Sequence, residues 1–205
     1  MNSIAPLLDI ADLHFAYTPE VVVFKGWSAQ VAPGLTVACG DESTGKTTLL
    51  RLLAGELLGR GQVTLNGAPL RPQDVFWQDP RAAPDNTTAS AYLASQAQRW
   101  PAWDEAAAQT HVDGLSLREH LHKPFFALST GGRRKVWLTA ALASGAPLTL
   151  MDEVFAALDT PSIRYLTVAL QQTAAQAPHR WLLAAHWEAL PGVPEARLLR
   201  LYQPA

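Results

Sequence analysis

Residues 40–47 read Gly-Asp-Glu-Ser-Thr-Gly-Lys-Thr, and they carry the strongest signal in the chain. The stretch follows a short apolar run, Leu35–Cys39, which predicts a strand. It leads into a helical run, Lys46–Leu58, which Gly59 is expected to end. The spacing Gly-x4-Gly-Lys-Thr between a strand and a helix is typical of a phosphate-binding loop. Its glycines let successive backbone N–H groups point inward, and the helix N-terminus adds positive potential.

Each position of this loop has a predicted role. We expect Lys46 to reach the β- and γ-phosphates of a nucleotide, the Thr47 hydroxyl to bind Mg²⁺, and Thr48 to bond a nearer phosphate. Asp41 and Glu42 are unusual because most such loops are neutral, and we expect both side chains to point to solvent, where they would weaken nucleotide affinity. The other loop residues assigned to the nucleotide site are Gly40, Ser43, Thr44 and Gly45.

A second signal is the run Leu148–Glu153, an apolar strand that ends in two carboxylates. Alternation along a strand predicts that Asp152 and Glu153 lie on different faces at its carboxyl end, the side where ligands bind in such sheets. Asp152 can then hold Mg²⁺ through water, and Glu153 can polarise an attacking water. The pattern is weak alone, but together with the phosphate loop it is strong.

The remaining pattern predicts an α/β fold with a mostly parallel sheet. Residues 8–17 and 21–31 suggest an antiparallel strand pair at a sheet edge, and Asn66-Gly67 suggests a tight turn after strand 62–65. Further strands are expected at 75–78, 147–151, 180–185 and 197–202, and helices at 131–143 and 161–175. Residues 79–123 have helical spacing and no convincing strand, so we predict one domain with a core of 1–78 and 124–205 and a helical insertion between them.

Composition narrows the function further. The chain has 205 residues, 48% of them hydrophobic, and a formal net charge of −2, so no nucleic-acid partner is expected. No run approaches the roughly 18 apolar residues that span a bilayer. The N-terminal stretch does not look like a signal peptide, so we expect a cytoplasmic protein whose membrane contacts, if any, need another chain.

At this point the chain resembles the ATP-binding cassette (ABC) family of P-loop NTPases, in the family's order and along nearly its whole length. The segment Leu128–Val136 (LSTGGRRKV) looks like the family signature, LSGGQ followed by basic residues. Gln78 resembles the Q-loop glutamine, and Phe155–Asp159 resembles the D-loop. His186 resembles the switch histidine, and Tyr17 falls where an aromatic residue stacks on adenine. Because six independent features occur together in the order that the family shows, membership of the family explains them better than chance does.

The resemblance implies an Mg²⁺-dependent ATPase that works as a head-to-tail dimer, homo- or heteromeric. Ser129 and Gly131 of one subunit would then bond the γ-phosphate held by the other. It implies that Gln78 joins the Mg²⁺ site, that Lys46 and His186 neutralise charge, and that Glu153 aligns the water. It also implies a permease partner that seats the chain on the cytoplasmic face of a membrane, with the helical insertion touching that partner.

Several alternatives stay open from the residues alone. Gln78 is also readable as a polar residue at a strand end, Asp159 as a helix N-cap, and His186 as a structural histidine, while Phe15 competes with Tyr17. Thr130 and Gly132 depart from the signature, and a β-branched Thr130 would be strained if its position needs a positive φ. The alternative function is a soluble cassette ATPase acting on nucleic acid or ribosomes, and a P-loop kinase or GTPase is disfavoured.

Overall fold

The computed structural model describes residues 7–79 and 86–202, in which five α-helices and nine strands are present. The strands are β1 (Leu8–Thr18), β2 (Val21–Val31), β3 (Gly34–Cys39), β4 (Arg60–Leu65), β5 (Ala68–Pro69), β6 (Val75–Phe76), β7 (Leu148–Met151), β8 (Trp181–His186) and β9 (Arg197–Arg200). The helices are α1 (Lys46–Leu53), α2 (Ala89–Arg99), α3 (Glu105–Gly114), α4 (Thr130–Ala143) and α5 (Thr160–Gln176).

An antiparallel sheet of order β2-β1-β4-β5 forms the first part of the chain. The predicted pair of N-terminal strands is confirmed, with Leu8 opposite Val31 and β2 at the sheet edge. The tight turn between β4 and β5 is also confirmed, because Asn66 and Gly67 both have positive φ, 54° and 79°. These are the backbone angles that a two-residue hairpin turn requires.

A parallel sheet of order β6-β7-β8-β3-β9 forms the second layer. This arrangement confirms the predicted α/β fold, in which all neighbouring strands of the sheet run the same way. The register places Cys39 opposite His186 and Met151 opposite Ala184. The carboxyl ends of β3, β7 and β8 therefore lie side by side, and the predicted site residues follow these ends.

Two hydrophobic cores cover the faces of the parallel sheet. Alternate residues of β8 divide between them, with Leu182 in the core that α4 and α5 build and Leu183 in the core that α1 and β1 build. α2 and α3 pack against α4. The insertion thus rests on the helix that begins at the signature-like segment.

Some predicted elements are shorter than expected. α1 ends at Leu53 rather than at Leu58, because Gly55 with φ of 75° turns the chain before Gly59 is reached. β6 contains only Val75 and Phe76, so Gln78 lies after the strand.

The predicted insertion, 79–123, includes residues 80–85, which lie outside the described residues. In the described part it holds α2, α3 and a single 3-10 turn, Arg118–His120. In the described chain no helix is both long and apolar enough to cross a membrane.

Candidate nucleotide-binding site

The loop of residues 40–47 connects β3 to α1, and its conformation requires a glycine at position 45, next to the start of α1. Gly45 has φ of 92°, and a Cβ there would lie 2.5 Å from Cγ1 of Val23. A side chain would not fit at this position. Glycine also adopts the positive φ that lets the backbone curl tightly before α1 begins. Asp41 and Glu42 are exposed, as the sequence predicts, so their carboxylates do not fill the loop.

Lys46 lies over the loop rather than away from it. Its Nζ donates to the carbonyl oxygens of Gly40 and Asp41, at 2.6 and 2.7 Å. These weak neutral acceptors hold the ammonium group at the mouth of the loop, where phosphate oxygens would be stronger partners for a cation. The contact therefore presets Lys46 for a polyphosphate ligand.

Thr47 and Asp152 are brought together because the parallel strands β3 and β7 end at the same edge of the sheet. The Thr47 hydroxyl donates to Oδ2 of Asp152 at 2.9 Å. A hydroxyl and a carboxylate are oxygen ligands of the kind that Mg²⁺ prefers when substrate phosphates supply the rest of its shell. Among the residues described, no cluster of three or more His, Cys, Asp or Glu could hold a metal by itself. The pair fits a nucleotide-borne Mg²⁺.

Glu153 lies in a turn rather than on the strand. Because β7 ends at Met151, alternation along a strand does not set its direction, contrary to the prediction. Its φ of 44° places it in the left-handed region, which is uncommon for a residue with a side chain. Its carbonyl oxygen accepts bonds from the Ala156 amide, at 2.8 Å, and from Nη1 of Arg134, at 2.8 Å.

Gln78 and Asp152 line the same small cavity, of about 30 Å³. The Gln78 side chain is oriented by the Tyr92 hydroxyl, which donates to its Oε1 at 3.2 Å. Tyr92 belongs to α2, so the insertion holds the predicted Q-loop glutamine beside the predicted magnesium ligand.

His186 is the last residue of β8 and pairs in register with Cys39, directly before the loop. Its Nδ1 lies 3.0 Å from the carbonyl oxygen of Glu188 and 3.4 Å from the Glu188 amide nitrogen, so the backbone after β8 holds the ring in place. The ring also packs edge-on against Phe155, with centroids 5.9 Å apart. The fold thus brings His186 to the loop and to the segment after Glu153.

Tyr17 reaches the start of α1 through its hydroxyl, 3.1 Å from Oγ1 of Thr48. Its ring is 50% exposed and packs edge-on against Phe15, with centroids 4.9 Å apart. The exposed ring beside the loop is consistent with adenine stacking, which remains a prediction.

The signature-like segment begins α4. Ser129 is the N-cap, and its Oγ accepts from the Gly132 amide at 3.0 Å. Thr130 is the first helical residue and is not among the residues with positive φ, so the expected strain is absent. A Cβ on Gly131 would lie 2.4 Å from the carbonyl oxygen of Ala157, so glycine is required there for close approach. In the described ranges no hydrogen bond joins residues 129–131 to residues 40–48.

The basic residues after the signature-like segment make contacts that the sequence did not predict. Arg134 donates to the carbonyls of Asp152 and Glu153, and Lys135 pairs with Asp159 at 2.6 Å. Asp159 also caps α5, as one alternative predicted, and bonds from Lys135 and Ser162 hold the pKa of its carboxyl well below the usual range. The only sequence signal was the run of basic residues itself.

The fold and the site together identify this chain as a P-loop nucleoside triphosphatase. The ABC transporter family model matches residues 24–156, well over half of the chain, and the chain belongs to this family. It is 32% identical to the cytochrome c biogenesis ATP-binding export protein CcmA 1 of Cupriavidus metallidurans, over 78% of this chain and 82% of that protein. It is 30% identical to the mycobactin import ATP-binding/permease protein IrtB of Mycolicibacterium thermoresistibile, over 89% of this chain.

The chain spans only about a third of IrtB, 34% of its length. A solved structure, a putative ABC transporter ATP-binding protein from Pyrococcus furiosus, superposes with a TM-score of 0.79 over 97% of this chain and all of that one. At 21% identity this likeness shows the fold alone. The family establishes the chain as an ATP-binding ABC ATPase, and it does not favour the nucleic-acid alternative.

Proposed function

We propose that this chain hydrolyses Mg²⁺-bound ATP in a head-to-tail dimer and so drives transport through a permease on another polypeptide, at the cytoplasmic face of a membrane. The observation that carries the proposal is the bond between Thr47 and Asp152, which joins the phosphate loop to the acidic end of β7. This hydrogen bond joins the segment expected to bind phosphate and the segment expected to bind Mg²⁺ and water into a single site.

The chain's own residues supply the rest of the chemistry. Lys46, held on two loop carbonyls, transfers to the β- and γ-phosphates, which attract its charge more strongly. Glu153 aligns the attacking water and accepts its proton. His186 and Gln78 complete the site around the γ-phosphate. When Thr47, Asp152 and Gln78 bind Mg²⁺, the ion neutralises negative charge on the phosphates.

The dimer is supported by the position of the signature-like segment. Ser129 and Gly131 lie at the N-terminus of α4, where backbone N–H groups favour an anion, yet no hydrogen bond links them to their own loop. A second subunit can bring its loop to this helix end. The contact would last only while the γ-phosphate is present, so hydrolysis would open the dimer.

The separate permease is supported by the relatives. CcmA 1, an ATP-binding export protein, is covered over 82% of its length, whereas IrtB, named as ATP-binding and permease in one, is covered over 34%. Co-purification with a multi-spanning protein tests this part. Co-purification with nucleic acid instead would support the alternative of a soluble ATPase acting on nucleic acid or ribosomes.

Glu153→Gln tests the catalytic proposal. The variant is expected to bind a fluorescent ATP analogue as the wild type does, to lose nearly all turnover, and to form a more persistent dimer in size-exclusion chromatography with ATP. Glu119→Gln, on an exposed 3-10 turn, is the matched control and should keep wild-type turnover. Equal turnover in the wild type and Glu153→Gln would refute the role given to Glu153.

A further inference from the structure

Arg134 contacts the backbone on either side of Glu153. It lies early in α4, and its Nη1 donates to the carbonyl oxygens of Asp152 at 2.7 Å and Glu153 at 2.8 Å. A guanidinium nitrogen that donates to two consecutive carbonyls restrains the two peptide planes on either side of Glu153. The partner of this cation is therefore the backbone that leads into Glu153, not a carboxylate side chain.

The backbone that Arg134 holds has reason to need support. Glu153 has a φ of 44°, a conformation that a residue with a side chain keeps only when its surroundings impose it. Its carbonyl receives both the Arg134 guanidinium and the Ala156 amide. The direction of its Cα–Cβ bond follows from this backbone, so the bonds set the direction in which the side chain leaves the turn.

The local electrostatics agree with this role. Burial lowers the pKa of Arg134, and the charges of Glu153 and Asp152 oppose that shift by favouring the cation. Arg134 also lines the small cavity that Gln78 and Asp152 share. The guanidinium therefore lies beside the two predicted magnesium ligands, Gln78 and Asp152.

We infer that Arg134 is a positioning residue for ATP hydrolysis: it holds the 152–153 turn so that Glu153 faces the attacking water. The inference rests on the proposed role of Glu153. Because Arg134 belongs to the helix that begins with Ser129 and Gly131, the same bonds tie the orientation of Glu153 to the placement of the signature segment.

The test is a cycle of variants in the purified chain. Arg134→Met keeps the length of the side chain and removes its donors, and it is expected to lower kcat for ATP about 10- to 100-fold, as loss of an orienting partner does. The KM for ATP and the binding of a fluorescent ATP analogue should stay within about twofold, because the phosphate loop is untouched. Arg134→Lys, which keeps the cation and its N–H donors, should recover part of the loss.

Single-turnover hydrolysis in the Glu153→Gln background distinguishes a role of Arg134 exerted through Glu153 from a merely structural role. If Arg134 acts through Glu153, adding Arg134→Met there has almost no further effect. The same fold loss in both backgrounds would overturn the inference, as would wild-type kcat in folded Arg134→Met. If the Met variant does not fold, Arg134→Gln takes its place in the cycle.

Arg164→Met, on an exposed part of α5, controls for the loss of one arginine and should keep the wild-type kcat. The inference and the proposed function fail in different ways. Full turnover in Glu153→Gln would refute both the proposed function and the inference about Arg134. If Glu153→Gln is inactive while Arg134→Met is fully active, only the role of Arg134 is refuted.

Discussion

The hydroxyl of Thr47 and the carboxylate of Asp152 meet at 2.9 Å, although 105 positions separate them in the chain. Thr47 lies in the first turn of α1, at the end of the phosphate loop, and Asp152 follows the last residue of β7. The parallel sheet makes this possible because β3 and β7 both end at the same edge, on either side of β8. One hydrogen bond thereby marks the point at which nucleotide and metal are expected to meet.

Removing the hydroxyl of Thr47 should raise the magnesium requirement. Thr47→Ala is expected to lower turnover at least about tenfold and to shift the Mg²⁺ titration to higher concentration, since the metal loses an oxygen ligand. Thr47→Ser keeps the hydroxyl and should titrate like the wild type. Superimposable Mg²⁺ curves for the Ala and Ser variants, measured by phosphate release, would contradict the assignment.

Two adjacent glycines in α4 should respond differently to alanine. Gly131→Ala is expected to lower the melting temperature, because the new Cβ would lie 2.4 Å from the Ala157 carbonyl oxygen. At Gly132 the nearest atom is the Ser129 side-chain oxygen, 3.3 Å away, and the better helix propensity of alanine offsets the tight contact by about 1 kcal/mol. Differential scanning fluorimetry checks the pair, and an equal or smaller loss at Gly131 would show that the segment adjusts freely.

Arg180 should contribute strongly to stability. Its guanidinium donates to the carbonyls of Ala141 and Leu142 near the end of α4 and to that of Ala146 beyond the helix, at 3.0–3.3 Å, and it also donates to two hydroxyls. Arg180→Met removes the side-chain donor to the buried carbonyls of Leu142 and Ala146 and is expected to cost about 3 kcal/mol of unfolding free energy. Urea unfolding measures the loss, and the exposed Arg164→Met, which should cost less than about 0.5 kcal/mol, is the control.

His111 should make stability depend on pH. Burial lowers the pKa of its imidazole, while the charge of Asp104 opposes the shift, and its Nδ1 meets the Tyr165 hydroxyl at 2.8 Å. Because the folded pKa lies below the unfolded one, the unfolded chain binds the proton more readily. The stabilisation is therefore present above the unfolded pKa of about 6.5 and is lost as the pH falls through the folded pKa.

His111→Gln removes that proton-binding group. The variant's unfolding free energy should change less between pH 7 and pH 5 than that of the wild type, by urea titration at each pH. Parallel pH profiles for the two proteins would show that His111 does not titrate on unfolding.

Local patterns in the sequence were enough for the phosphate loop, the element order and the two-sheet α/β fold. Such features depend on neighbours in the chain: a glycine spacing, an alternation of apolar residues, or a turn dipeptide such as Asn66-Gly67. Local patterns were less reliable for element ends. Residues 54–58 have helical composition, yet the chain turns at Gly55 and α1 stops at Leu53.

Contacts between distant segments were decided by the tertiary structure. Alternation along a strand could not set the direction of Glu153, because β7 ends at Met151 and Glu153 has a positive φ in the turn that follows. Likewise, no pattern near Arg180 says that it reaches the end of α4. The physical reason is that a side chain's partners are set by how sheets and helices pack, whereas the linear sequence records directly only the preferences of residues that are close along the chain.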